Sequence, residues 1–394
     1  MARANVKFIA AMAAGHLMVD INQGALPALL PHLKAALHLS YFAASALVLT
    51  ANVTSSVVQP IFGYLADRDL RRWVIPVSII LSGLGLGLTG VAPHYPLLLV
   101  LVGLMGLGVA SFHPLGFKTV ADAAGLRKAT AVSWFSLGGN LGFALGPPLL
   151  TLLITYFGMY GSLGMILPTL LVGVTLLVVL PRLGREVGAA GTTSAQAAEG
   201  KNMPRAMSLL IFIVMIRSWT QLGFMTFLPF YYIDYLKAAP RMVGPVLFVF
   251  LGAGALGTIA AGPLADRWGT RNFIVWGFLG SILPGVATLL LRGNPAIAAL
   301  GVFGAVLLST TTVTVVLGQQ YLPRSPGLAS GLIAGFAIGA GGLGVTVMGW
   351  VADRFGLPAV LWIAALLPLT GFLACLFLPH PAGQDKSSAQ KYKD

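Results

Sequence analysis

The sequence predicts an all-α membrane protein of twelve transmembrane helices in two six-helix bundles. Three observations lead there. First, 57% of the 394 residues are hydrophobic and only 9% are charged, with a mean hydropathy of +0.87. A soluble domain carries about 25% charged residues, and a chain this apolar could neither cover a soluble surface nor remain disordered. Second, the apolar residues form long continuous runs without the alternation of a β-barrel strand. Third, the two halves of the chain repeat each other at an offset near 200 residues. Twelve spans of ~20 residues would use about 240 residues, which leaves little for an extramembrane domain.

In order, the runs cover about 6–30, 41–66, 73–92, 95–124, 128–157 and 160–181, then 205–236, 243–265, 272–292, 295–320, 327–350 and 357–379. Proline, glycine or charge bounds each one. Asp67 and Arg68 close the second, Pro96 opens the fourth, Arg182 closes the sixth, Pro204 and Arg205 open the seventh, Asp266 and Arg267 close the eighth, and Pro295 and Pro358 open the tenth and twelfth. The longest polar stretch, rich in Gly, Ala, Ser and Thr, follows the sixth run. The expected domains are therefore an N-terminal bundle (1–182), a flexible cytoplasmic linker (183–204), a C-terminal bundle (205–380) and a tail (381–394).

Lys and Arg number 24 against 11 Asp and Glu, a net charge of +13. In a soluble protein this excess would point to nucleic acid; in a polytopic one it marks cytoplasmic loops. With the N-terminus inside, 17 basic residues fall on the cytoplasmic side and 5 on the other. Both termini are thus expected in the cytoplasm; the expected setting is the lipid bilayer of the cell (inner) membrane, with the chain as a monomer and no nucleic-acid partner. The first run carries Asp20, Asn22 and Gln23 without a cleavage pattern, so it does not read as a removable signal. The single cysteine, Cys375, can form neither an internal disulfide nor a metal cluster. No metal-ligand spacing occurs among the six histidines and no Walker A sequence is present, so neither metal nor cofactor is expected.

Within the repeat, Gly63-Tyr-Leu-Ala-Asp67-Arg68 matches Gly262-Pro-Leu-Ala-Asp266-Arg267. Weaker anchors are Lys128-Ala-Thr-Ala with Leu328-Ala-Ser-Gly, and Leu26-Pro27 with Leu228-Pro229. A helix C-terminus carries partial negative charge, so an Asp there needs compensation, from an Arg or from the N-terminus of a neighbouring helix. By pseudo-symmetry the start of the eleventh span near Gly327 is the candidate for Asp67, and the start of the fifth near Lys128 for Asp266. Such contacts would hold the cytoplasmic side closed; a solvated loop is the other reading. Parallel repeats of this kind place a binding site between two bundles near the midplane.

Gly63-x-x-x-Asp67-Arg68-x-Leu70-Arg71-Arg72 and Gly262 to Arg271, with Gly269 inside it, resemble the loop 2–3 motif of the major facilitator superfamily. The chain further resembles that superfamily's fosmidomycin-resistance group of exporters, through His16-Leu-Met-Val-Asp20-Ile-Asn22-Gln23, Ser111-Phe-His113-Pro114 and Gly138-Gly-Asn140-Leu-Gly142 followed by Gly146-Pro147. Gly142-x-x-x-Gly146-Pro147 also resembles the antiporter signature of span five. The resemblance implies the major facilitator fold and a proton-driven efflux pump, with Gly63, Asp67, Arg68, Arg71, Gly262, Asp266, Arg267 and Arg271 as its gating residues and Gly142, Gly146 and Pro147 as its helix-packing motif.

The residues themselves support a narrower set of roles. His16, Asp20, Gln23 and Pro27 share one helix face at spacings of 4, 3 and 4. A mid-span carboxylate costs roughly 2.5–3.5 kcal/mol, so Asp20 is expected to face a cavity and either find a structural partner or carry a proton. His113 precedes Pro114, which interrupts the backbone bonding of its helix, and reads either as a packed histidine or as a proton or substrate group. Lys118 and Asp122 read as an i,i+4 pair. Arg217 is mid-span, cannot deprotonate and must meet an anion: Asp20, a substrate or backbone carbonyls. Gln221 shares its face. His16, Asn22, Gln23, Asn140, Arg217 and Gln221 are the candidate substrate-binding residues, and Asp20 with His113 the candidate proton-coupling pair. Thr311, Thr312 and Thr314 read as packing residues. The expected function is a secondary transporter, a proton-coupled exporter of a small anionic compound. The alternatives are a proton-coupled importer, an integral-membrane enzyme, for which no nucleophile–base pair is found, and a passive channel.

Overall fold

The computed structural model describes residues 3–67, 73–124, 128–186, 201–337 and 339–381. All regular structure there is helical. The first span is α1 (Arg3–Leu37), longer than expected. At ~1.5 Å per residue it runs about 50 Å, more than the hydrocarbon core requires. It ends where His38 turns to φ 50°, and Ser40 caps the next helix by accepting from the Ala43 N–H at 3.0 Å. That second span is α2 (Tyr41–Asn52), a π turn (Val53–Val57) and α3 (Gln59–Asp67). The break sits just ahead of Pro60, which cannot donate to the preceding turn.

Next come α4 (Val74–Thr89), α5 (Tyr95–Ala123), α6 (Lys128–Phe157) and, after a 3-10 segment opened by Gly158 at φ +59°, α7 (Ile166–Glu186). The second half repeats the plan with α8 (Pro204–Phe230), α9 (Val243–Trp268), α10 (Thr270–Leu290), α11 (Asn294–Tyr321), α12 (Pro326–Ser330), a π turn (Gly331–Ala337), α13 (Gly341–Phe355) and α14 (Leu357–Leu376). The eleventh span, like the second, is interrupted by a π turn. All twelve expected spans correspond to these elements. Nine helical stretches among the described residues are long and apolar enough to cross a membrane; 131–180 holds two spans in one, and neither α1 nor the 16-residue α4 is among the nine.

The chain divides into two compact units. One comprises Met1–Thr193, Met225–Phe248 and Val345–Leu357; the other comprises Ser194–Phe224, Val249–Gly344 and Pro358–Asp394. The expected linker lies largely outside the described residues, as does the tail beyond 381. The first unit thus takes in the end of α8, the start of α9 and the end of α13 beside the expected N-terminal bundle; one ion pair ties the π turn after α8 to α1, and a helix cap ties α13 to α2 (below).

Glycine sets the closest packing in the first unit. On α6, a side chain at Gly138, Gly142 or Gly146 would run into the backbone carbonyl of Ala13, Leu17 or Ile21 of α1. The glycines and the carbonyls both step by four, so the helices are in register along one ridge. Around this crossing Phe8, Met12, Ile79, Phe112 and Phe135 form a buried core. The second unit packs Leu210, Ile213, Phe278, Leu317 and Tyr321. On α7, Leu167, Leu171, Val174 and Val178 form an exposed apolar stripe, the surface a lipid-facing helix presents.

Candidate functional site

In the first unit, α1 and α5 bring His16, Asp20 and His113 together. His16 Nε2 lies 3.2 Å from Asp20 Oδ2, and His113 Nε2 lies 3.2 Å from Asp20 Oδ1. The two imidazoles meet edge to face at 4.9 Å, and His16 stacks on Phe135 at 4.2 Å. The other nitrogen of each ring is fixed by backbone: His16 Nδ1 donates to the Phe135 carbonyl at 2.8 Å and His113 Nδ1 to the Val109 carbonyl at 2.9 Å. A carbonyl only accepts, so each Nδ1 keeps its proton.

With both rings neutral and Asp20 ionised, each Nε2 would point a lone pair at a carboxylate oxygen, a repulsive arrangement. Each 3.2 Å contact becomes attractive only when a proton sits on that Nε2 or on the facing oxygen. The cluster therefore accepts up to two protons without moving a heavy atom. His113 is its most accessible member, with 17% side-chain exposure against 5% for His16. Gly139 makes room, because a Cβ there would collide with His16 Nε2 and Asp20 Oδ2.

The other α1 candidates diverge. Asn22 is enclosed; its amide donates to the Met18 carbonyl at 2.8 Å and to Thr169 Oγ1 at 3.4 Å, tying α1 to α7. In this structure it packs into the bundle and is fully buried, away from Gln23 on the neighbouring face. Gln23 is half-buried and Asn140 is exposed. Lys118 has a partner within the chain.

In the second unit, Arg217 of α8 is 1% exposed. Its Nη1 donates to Thr311 Oγ1 at 2.8 Å and to Gln221 Oε1 at 3.1 Å, while its buried Nε has no hydrogen-bond partner. No carboxylate among the described residues lies within 4 Å of it. Within its own unit each has its partners: His16 and His113 for Asp20, Thr311 and Gln221 for Arg217.

Of the gating residues, Arg68 and Arg71 and the Asp67 side chain lie outside the described residues. Gly63 approaches only the Pro114 side chain, at 3.8 Å for a notional Cβ, and Gly262 has open space around it. Asp266 and Arg267 are exposed. Arg271 instead closes the end of α14, donating to the Leu376 and Leu378 carbonyls.

Sequence reasoning missed a second cluster, at the end of α1 distant from the N-terminus. Lys34 Nζ lies 3.5 Å from Asp234 Oδ2, the Tyr41 hydroxyl donates to the same oxygen at 2.8 Å, and Lys34 sits 4.5 Å above the Tyr41 ring. Asp353 of α13 accepts from the Tyr41 and Phe42 backbone N–H groups at 2.8 and 2.9 Å, capping α2. A signal was available: Gly349-Trp-Val-Ala-Asp353-Arg354-Phe-Gly356 repeats Gly262-Pro-Leu-Ala-Asp266-Arg267-Trp-Gly269.

The chain is polytopic and helical, and it carries a buried His–Asp–His cluster and a buried arginine. The Major Facilitator Superfamily pattern matches residues 12–237 and 207–393, and the chain belongs to that family of transporters. It is similar to the uncharacterised MFS-type transporter YfnC of Bacillus subtilis, 33% identical over 92% of this chain and 90% of that one. It is also similar to the fosmidomycin resistance protein of Escherichia coli, 30% identical over 98% and 95%. Among solved structures it resembles the xylose transporter XylE of E. coli, with a TM-score of 0.73, 16% identity and coverage of 96% and 98%. The protein is a multi-pass secondary transporter and not an enzyme.

Proposed function

We propose that this protein is a proton-coupled exporter of a small organic anion, working by alternating access in the cell membrane with both termini in the cytoplasm. The observation that carries the reading is Asp20 held between two histidines whose outer nitrogens are locked, a group able to take up and release protons inside a membrane span. Proton-coupled antiport needs such a group, because it must change protonation as access changes sides. The charge of the substrate is argued from Arg217: a buried guanidinium with no carboxylate partner is costly until an anion arrives. Gln221 shares that site, and the half-buried Gln23 and exposed Asn140 are further candidates to meet the substrate. Export is supported by the likeness to a fosmidomycin resistance protein.

The test is transport in proteoliposomes under an imposed pH gradient, with fosmidomycin, simple carboxylates and methylphosphonate as the panel. The expected result is anion movement opposite to the proton flow, abolished by a protonophore. Movement in the same direction as the protons would make the protein an importer, and flux indifferent to the gradient would remove the proton from the mechanism.

A further inference from the structure

Arg217 is held by one corner. Both of its bonds to Thr311 and Gln221 use Nη1, and Nε is buried without an acceptor. A guanidinium presents parallel N–H groups along its Nε–Nη2 edge, the geometry that two oxygens of one carboxylate, phosphonate or phosphate match. Thr311 is the unusual member of its run. Thr310 and Thr314 donate to carbonyls of their own helix, Leu307 and Thr311, at 2.7 Å each, whereas the Thr311 hydroxyl accepts from Arg217. We propose that Thr311 is a positioning residue: by holding Nη1 it turns the Nε–Nη2 edge of Arg217 toward the substrate, which selects an oxyanion able to bind through two oxygens. This rests on the reading of the protein as an anion transporter.

The test is ligand-induced thermal stabilisation of the purified full chain with fosmidomycin, methylphosphonate and benzoate, beside the neutral methyl esters of the last two. The anions should stabilise the wild type and the esters should not. Thr311→Val, which removes the acceptor at nearly constant volume, should weaken anion binding about tenfold, the scale of one hydrogen bond to a charged group. Thr311→Ser should restore it, and the ligand-induced shift of each variant is read against its own melting temperature without ligand. Wild-type affinity in Thr311→Val would overturn the positioning role and leave the anion reading standing. No anion-specific stabilisation of the wild type would overturn the anion reading and the inference with it.

A second inference rests on the Asp353 cap. In the copies at 262–269 and 349–356 the last glycine has φ 81° and 83°, so their backbones stop the helix in the same way. At Gly349 a Cβ would collide with Ser45 Oγ and the backbone of Tyr41 and Phe42, so glycine lets α13 come close enough for Asp353 to reach the start of α2. We infer that residues 349–356 are a third copy of the gating motif and act as a latch at the opposite end of the second and eleventh spans from Asp67. The copy at 349–356 puts an Asp of the eleventh span at the start of the second. Both spans are interrupted by π turns, which lets their two ends move separately. Opening this end must release Asp353 from Tyr41 and Phe42, and Asp234 from Lys34.

The readout is labelling of Ser45→Cys, in a Cys375→Ala background, by a membrane-impermeant maleimide applied to either side of sealed vesicles. Ser45 is fully buried beneath the latch. Asp353→Asn should raise the labelling rate several-fold, and Lys34→Met, which unpairs Asp234 while sparing the cap, should raise it as well. Labelling at the parental rate in both variants would overturn the latch.

Discussion

His113 Nε2 lies 3.2 Å from Asp20 Oδ1, while His16 occupies the other oxygen at the same distance. The three groups touch as one cluster, and the proposed proton site is the cluster rather than any single residue. Asp20→Asn and His113→Gln should therefore fail alike: substrate exchange persists in counterflow, and accumulation driven by a pH gradient is lost. Retained gradient-driven accumulation in either variant would remove that residue from the proton site.

Gly139 tests the geometry without touching a titratable group. Gly139→Ala places a methyl against His16 Nε2 and Asp20 Oδ2, and His16 cannot easily retreat from its bond to Phe135. Coupling should fall at least tenfold in the proteoliposome assay, with the protein still folded. Gly142→Leu has no such tolerance, since it opposes the Leu17 backbone. Overpacking of about 1–3 kcal/mol or more should appear as a lower melting temperature in detergent.

Arg217→Lys keeps the charge but loses the planar fork. KM for the anion should rise substantially while the maximal rate changes little. An unchanged KM would mean that Arg217 meets its anion as a point charge or not at all.

The cytoplasmic motifs are tested by Asp67→Asn and Asp266→Asn. Each should weaken the closed cytoplasmic side by roughly 1–3 kcal/mol, the usual scale of coupling between sites. Transport should slow, and thiol labelling of the cytoplasmic cavity should increase. Normal transport with unchanged labelling would return both loops to solvated charge.

The sequence by itself determined the all-helical fold, the twelve spans and the family. These follow from local quantities: hydropathy, proline and glycine at boundaries, charge at loop ends, and a short motif repeated at one offset. It also singled out Asp20, His113 and Arg217, because an ionisable residue within a span has few reasons to be there. What each of them meets was decided only by the tertiary structure. The His16–Asp20 spacing of four showed that they share a face; that His113 closes the cluster depends on how α5 crosses α1, a packing angle between elements about a hundred positions apart in sequence. Asn22 lies two positions from Asp20 and was placed with it, yet on a helix two positions turn a side chain by about 200°, and it ties α1 to α7 instead. Thr311 looked like its neighbours, since hydroxyls usually return to their own helix, and its approach to Arg217 spans 94 positions of sequence. Asp353, Asp234 and Lys34 were not singled out, because a single chain position carries no sign of which distant helix begins beside it. Composition and periodicity act over a few residues and so leave a local record; partnership between spans is a property of folded packing and leaves none.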